Sequence, residues 1–353
     1  MTVNPLKSSL RTITTTNDLE RVVVNALWGT SWSPREYANH QAAYSTYYSG
    51  IYQPLCRAAC SGDWRIPDYT HEDVISIINS LKLTNDKKND VLKDIPHAVN
   101  LSPSQSERAV NLAAGLLVPL NFDGIGGARP GKRISWEPEK TLKQTIDEEF
   151  QVLSNQAVPA NPVCATCTST IKFPRKFGLW DLKFIAGFNI VWTNSLLDHL
   201  SVVDEENQIT VYIFHQVSIL ELHQTVTPDV IPADLIEETF ETLALLLPRT
   251  DEKTTAWYDK LQKKHDLDPG TFRRSYLKLE DRELHHFKYW RSRLVKLKKA
   301  FDEHEPNKPT QWWRDDRKPV QWWTFWVAIL VLILTILFGL IQSVTGLLQV
   351  ILS

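Results

Sequence analysis

The chain has 353 residues, 43% hydrophobic and 23% charged, proportions of a folded globular protein rather than a disordered one. Its 39 basic and 41 acidic residues leave a net charge of −2, so no excess of positive charge points to nucleic acid. Four cysteines in so long a chain exclude a disulfide scaffold and fit a reducing compartment.

Residues 1–10 lack the apolar run of a signal peptide, and Thr2 offers no glycine for myristoylation. The first half reads as helices separated by polar turns. Asn17-Asp18 can cap a helix with Leu19, Val22, Val23, Ala26 and Leu27 on one face. Ser33-Pro34-Arg35-Glu36 has capping-box spacing and predicts a helix carrying Tyr37, Ala42, Tyr44, Tyr47, Tyr48 and Tyr52 towards Cys56 and Cys60. Thr70-His71-Glu72-Asp73 and Ser102-Pro103-Ser104-Gln105 open two more, the latter running through Val110, Leu112, Leu116 and Leu117 to Pro119. Trp136-Glu137-Pro138 leads into a helix through Leu142, Ile146 and Phe150. Between these, residues 126–132 fit G-x-x-x-x-G-K. Arg133 stands where a phosphate loop needs Ser or Thr for magnesium, and no apolar strand enters the loop, so the match reads as a loop tip.

Residues 154–170 lose periodicity and mark a linker between a helical N-terminal region, 1–153, and a second region, 171–305. In the second region, Phe188-Asn189-Ile190-Val191-Trp192 and Ile209-Thr210-Val211-Tyr212-Ile213-Phe214 are rich in β-branched and aromatic residues and read as strands. A short capped helix at residues 194–200 and an acidic turn, Asp204-Glu205-Glu206-Asn207, separate them, which allows parallel pairing. Helices resume after Pro232 and after Thr250-Asp251-Glu252. A last one, residues 277–301, carries Phe287, Trp290, Leu294, Leu297 and Phe301 as a heptad stripe. The expected fold is mainly α with a small α/β element and a single C-terminal transmembrane helix.

That final segment, residues 320–353, has no charged side chain. Its apolar core, residues 322–341, matches the roughly 20 helical residues that a bilayer requires. A collar over residues 306–319 precedes it. Trp312, Trp313, Trp322, Trp323 and Trp326 suit an interfacial aromatic belt, and Arg314, Arg317 and Lys318 suit a cytosolic charge stop. The expected arrangement is a tail anchor at 320–346 with a short non-cytosolic tail at 347–353. The large domain then faces the cytosol, on the endoplasmic reticulum or a later secretory membrane.

Three blocks carry a resemblance. They are Phe173-Pro174-Arg175-Lys176-Phe177 with Ile185-Ala186-Gly187-Phe188-Asn189-Ile190-Val191-Trp192-Thr193-Asn194-Ser195-Leu196-Leu197-Asp198-His199-Leu200; Phe214-His215 followed by Val217-Ser218-Ile219-Leu220; and Gln311-Trp312-Trp313-Arg314-Asp315-Asp316-Arg317-Lys318 with Gln321-Trp322-Trp323-Thr324-Phe325-Trp326-Val327. Together they resemble a large family of uncharacterised single-pass membrane proteins of filamentous fungi. The resemblance implies the topology and the folding unit, and it carries over no catalytic residue.

Candidate chemistry is sparse. Cys56, Cys60, Cys164 and Cys167 could supply four thiolates to zinc, but Cys56 and Cys60 at i, i+4 are more simply small buried residues. Asp198, His199 and His215 could form an acid–base site, with His223 nearby; no nucleophile motif accompanies them, and structural pairing at the helix end or to the neighbouring strands is the simpler reading. Lys288, Arg291, Arg293, Lys296, Lys298 and Lys299 form a basic face that could meet solvent, an acidic protein or anionic lipid. Thr335, Gly339, Ser343 and Gly346 share a face of the span on which helices could self-associate. The expected role is a membrane-tethered interaction or scaffold domain with the bilayer and unidentified proteins as partners. An Asp/His enzyme and a membrane-perturbing oligomer are the alternatives.

Overall fold

Local capping decides where the helices of the first half begin. The protein is described here by a computed structural model covering residues 4–10, 17–61, 66, 69–83, 85–125, 131–156, 172–174, 176–205, 208–226, 230–273, 277–278, 281–303 and 319–352. Helix α1 (Asn17–Trp28) lies against α2 (Pro34–Tyr47). The Ser33 N–H donates to the Glu36 carboxylate at 2.8 Å, and the Glu36 N–H returns to the Ser33 hydroxyl. One π-turn, Tyr48–Tyr52, carries α2 into α3 (Gln53–Ala59). Pro54 has no N–H for the Gly50 carbonyl, the partner an α-helix demands, and the π-turn sits at that discontinuity.

Helix α4 (His71–Leu83) starts at Thr70, whose N–H reaches Asp73 at 2.8 Å. After the short α5 (Lys88–Lys93), Ser102 and Gln105 cap α6 (Pro103–Leu117) reciprocally. Buried on nearly every side, with Val110, Leu112, Ala113 and Leu116 shut off from solvent, α6 packs on α3, α4 and α5 and forms the centre of the first half. Helix α7 (Leu142–Ser154) is capped by Thr141 and Gln144.

Beyond α8 (Leu179–Phe184), three strands form one sheet in the order β1-β3-β2. Strand β1 (Asn189–Thr193) pairs in parallel with β3 (Gln208–Phe214), Asn189 opposite Thr210 and Thr193 opposite Phe214. The short capped helix expected at residues 194–200 is a single 3-10 turn, Leu196–Asp198, without a side-chain cap. Asp204 and Glu205, expected in an acidic turn, instead end β2 (Val202–Glu205), which runs antiparallel to β3 with Val202 opposite Val211, while Glu206 and Asn207 lie outside the described residues. Its charges point to solvent, as suits an edge strand.

Four helices follow: α9 (Val217–Val226), α10 (Ala233–Leu246), α11 (Glu252–His265) and the single turn α12 (Gly270–Arg273). Helix α13 (Arg291–Glu303) begins 14 residues later than the heptad stripe predicts. The cause is Glu238 on α10, a buried carboxylate that takes the N–H groups of Lys288, Tyr289 and Trp290 at 2.9, 3.0 and 2.7 Å. A continuous helix would direct those three donors to its own carbonyls. Here they satisfy a charge that burial alone would make costly.

The two regions share one hydrophobic core running from Leu10 to Phe301. His223 on α9 donates through Nε2 to the Leu117 carbonyl at 2.8 Å and meets the Trp28 ring edge-on at 5.0 Å. The Leu196 N–H reaches the Pro119 carbonyl at 2.8 Å. Most of the expected linker lies outside the described residues.

Helix α14 (Pro319–Leu352) stands outside that core. Within it Trp323–Gln349, 27 residues, is long and apolar enough to cross a bilayer, and none of it is buried. At about 1.5 Å per residue it reaches about 40 Å, beyond the ~30 Å of hydrocarbon, so a spanning helix of this length tilts or ends among headgroups. No break occurs at Gly346, where the short tail was expected. Leu347 and Leu348 prolong the apolar run, and the Thr345 hydroxyl bonds back to Ile341 at 2.9 Å instead of capping an end.

Burial holds His199 and His215 neutral, lowering their pKa to about 3, and lowers that of His223 to about 4. All three protonate near 6.5 in the unfolded chain. The unfolded state thus binds more protons as the medium acidifies, and each histidine withdraws about 1.4 kcal/mol of stability per pH unit. Asp268, raised by burial to about 6, opposes them only as it protonates. Denaturant midpoints of the full chain in neutral detergent should therefore fall between pH 7 and about 5.5. A flat or rising midpoint would contradict the neutral histidines.

Candidate functional site

The three residues read as an acid–base site are directed to different partners. His199 is fully buried; its Nδ1 accepts the Phe214 N–H at 3.2 Å, so the proton lies on Nε2, which donates to the Thr242 hydroxyl at 2.8 Å. Both ring nitrogens are occupied. Asp198 Oδ1 accepts the Lys132 N–H at 2.9 Å, and burial raises its pKa. His215 Nδ1 accepts the Asp268 N–H at 3.4 Å. No hydrogen bond joins these three side chains among the described residues.

The glycine-rich loop has a simple use where it is described. Gly131 has φ +121°, and a Cβ there would collide with the Asp198 carboxylate. The chain's own carboxylate thus sits against this backbone, and the Lys132 ammonium pairs with Glu149 at 2.8 Å. Residues 126–130 lie outside the described set.

Cys56 is buried in the core as a thiol, with Cys60 half-buried one turn on. Cys164 and Cys167 lie outside the described residues, and no metal-ligating cluster occurs among the described ones. The Trp312, Trp313, Arg314, Arg317 and Lys318 collar is likewise outside, as are the side chains of residues 319–322, Trp322 included. Trp323 and Trp326 lie in the first turns of the apolar segment. On the face of Thr335, Gly339, Ser343 and Gly346, a Cβ at either glycine would meet nothing within 4 Å.

The basic face is largely engaged by the protein itself. Arg293 donates to the carbonyls of Leu197 (2.7 Å) and His199, and Lys296 to that of Val202 at 2.8 Å. Arg291 binds the carbonyls of Phe287 (2.8 Å) and His285 (3.0 Å). Lys288 pairs with Asp234, Lys298 with Asp302 and Lys299 with Glu303. Acids from α10 and from the end of α13 supply the counter-charge that its central stretch lacks.

A different arrangement emerges beside β1. A cavity of about 600 Å³ opens between this edge strand, α8 and the end of α11. Asn189, Ile190, Val191 and Trp192 form its strand wall, and Trp257, Leu261 and Leu267 add apolar surface. Lys183 comes from α8, Lys264 and His265 from the last turn of α11. Asn194 and His215 close it just past the carboxyl ends of the two parallel strands, where ligands of α/β sheets commonly bind. No carboxylate lines it among the described residues.

The cavity's polar groups are held from behind. Asn194 donates to the Gly50 carbonyl at 3.1 Å and accepts from Gln216 at 2.9 Å. Trp192 is fixed by edge contacts with Tyr258 at 5.8 Å and with His215 at 6.3 Å. Of these residues, the sequence argument singled out His215 alone. Strand ends in parallel register were the available signal; Lys183 and Lys264 are 81 positions apart and share no motif.

Comparison with protein-family models, with curated proteins and with solved structures finds no match to this chain.

Burial raises the Cys56 thiol far above its ordinary pKa. Alkylation of the native chain with iodoacetamide, followed by peptide mass spectrometry, should label Cys60 well before Cys56. Equal labelling would place Cys56 at the surface.

Proposed function

We propose that this is a tail-anchored membrane protein whose helical domain lies in the cytosol and acts as a tethered interaction or scaffold module. The observation carrying the anchor is the segment Trp323–Gln349, which is strongly apolar, carries no charged side chain and contributes nothing to the domain's core. An exposed apolar helix of that length is stable in hydrocarbon and a liability in water. Orientation rests on charge: Arg314, Arg317 and Lys318 precede the span while residues 320–353 carry no Lys or Arg, an asymmetry that favours the large domain on the cytosolic side.

Binding is favoured over catalysis because His199, the histidine next to Asp198, has both ring nitrogens engaged by Phe214 and Thr242, and no hydrogen bond joins it to Asp198 or His215 among the described residues. Deprotonating a substrate there would first require breaking a buried hydrogen bond.

The test is a tagged full-length chain in isolated microsomes. It should resist alkaline carbonate extraction, and an N-terminal tag should be lost to protease added outside intact vesicles. Removal of residues 319–353 should release the domain to the soluble fraction. Extraction of the intact chain would remove the anchor, and a protected N-terminal tag would reverse the orientation.

A further inference from the structure

We infer that the cavity beside β1 is a binding site for a small organic anion carrying a flat ring. Its volume of about 600 Å³ falls within the range of small-molecule sites, roughly 300–1,000 Å³. Its composition selects the ligand. Trp192 and Trp257 provide flat apolar surface on the strand and helix sides, while Lys183 and Lys264 bring positive charge from two different helices. Neither lysine has an ion-pair partner among the described residues, whereas most lysines of α13 do.

The helix dipole accounts in part for Lys264, since cations suit a helix C-terminus. It does not account for His215. That ring is only 6% exposed and lines the cavity. Because Nδ1 accepts the Asp268 N–H, the neutral ring carries its proton on Nε2, and that donor has no acceptor among the described residues. A donor that opens on a cavity with two lysines and, among its described lining residues, no carboxylate is placed to meet an acceptor from outside the chain. An anionic oxygen meets both demands.

This site belongs to the folded domain and does not depend on attachment to a membrane, so the two proposals can fail separately. The test is calorimetric titration of the full chain in neutral detergent, with empty micelles as the blank. The probe is 1-naphthyl phosphate; 1-naphthol and inorganic phosphate serve as the ring-only and charge-only arms. The expected result is saturable one-to-one binding of 1-naphthyl phosphate, tighter than either arm. The Lys183→Ala, Lys264→Ala double variant should weaken it about tenfold, two partly screened ion pairs being lost. Lys299→Ala, a remote charge control, should leave it unchanged. Both cavity lysines make no hydrogen bond among the described residues, so the double variant should fold, which circular dichroism checks.

Four results would overturn the proposal: no saturable binding by about 1 mM; equal affinity of the native chain and the double variant; 1-naphthol binding as tightly as its phosphate; or inorganic phosphate binding as tightly as the naphthyl ester. The first removes the site, the second its location, the third the requirement for charge and the fourth the requirement for a ring.

Discussion

Glu238 and His199 are polar groups with almost no access to water, and the second half of the chain is arranged to satisfy them. Three backbone N–H groups converge on Glu238, which fixes where α13 begins. His199 links the end of β3 to Thr242 on α10, and Thr242 donates in turn to the Thr239 carbonyl at 2.7 Å. Trp290 donates to the Thr239 hydroxyl at 3.0 Å, and its ring meets His199 edge-on at 4.9 Å. Strand, helix and the approach to α13 thus join along one polar seam inside an apolar core. Such a seam specifies geometry more sharply than apolar contact, because each displaced donor leaves a buried group unpaired.

A second junction ties the N-terminal helices to the sheet, and it originates in one imino acid. Pro54 cannot donate to the Gly50 carbonyl, and Asn194, just past β1, donates to it at 3.1 Å. A Cβ at Gly50 would lie 3.2 Å from the Asn194 amide nitrogen, so glycine admits the close approach. Gln216, just past β3, continues the link by donating to Asn194 and to the Thr46 carbonyl at 3.3 Å. The side chain that completes the interrupted helix is the one that closes the cavity. Geometry at the cavity mouth is therefore set by packing in the N-terminal half.

What the sequence disclosed follows the range of the interactions involved. The capping boxes at Ser33, Thr70 and Ser102 are four-residue signals, and each one opens a helix. The parallel strand pair was visible because β1 and β3 are apolar and β-branched. Strand β2 escaped notice because three of its four residues are exposed and two are acidic. Helix α13 was extended too far because Phe287 and Trp290 continue the spacing of Leu294, Leu297 and Phe301, although the N–H groups of Lys288, Tyr289 and Trp290 serve Glu238. The basic face looked unpaired because its partners are backbone carbonyls and acids from other segments. Most of the cavity had no local signature, since its walls come from α8, β1, α11 and the ends of two strands.

The C-terminal helix differs from the domain in needing no such long-range pairing. A helix satisfies its own backbone in hydrocarbon, and the hydroxyls of Thr335 and Thr345 are turned back to Val331 at 2.8 Å and Ile341 at 2.9 Å. Those hydroxyls are already used within the helix. Close approach of a second helix across Gly339 and Gly346 would then be driven by van der Waals packing of backbone against backbone, not by threonine hydrogen bonds. The open space around both glycines permits that contact without requiring it. The C-terminal helix thus satisfies its backbone alone, whereas the cavity beside β1 exists only through contacts between segments far apart in sequence.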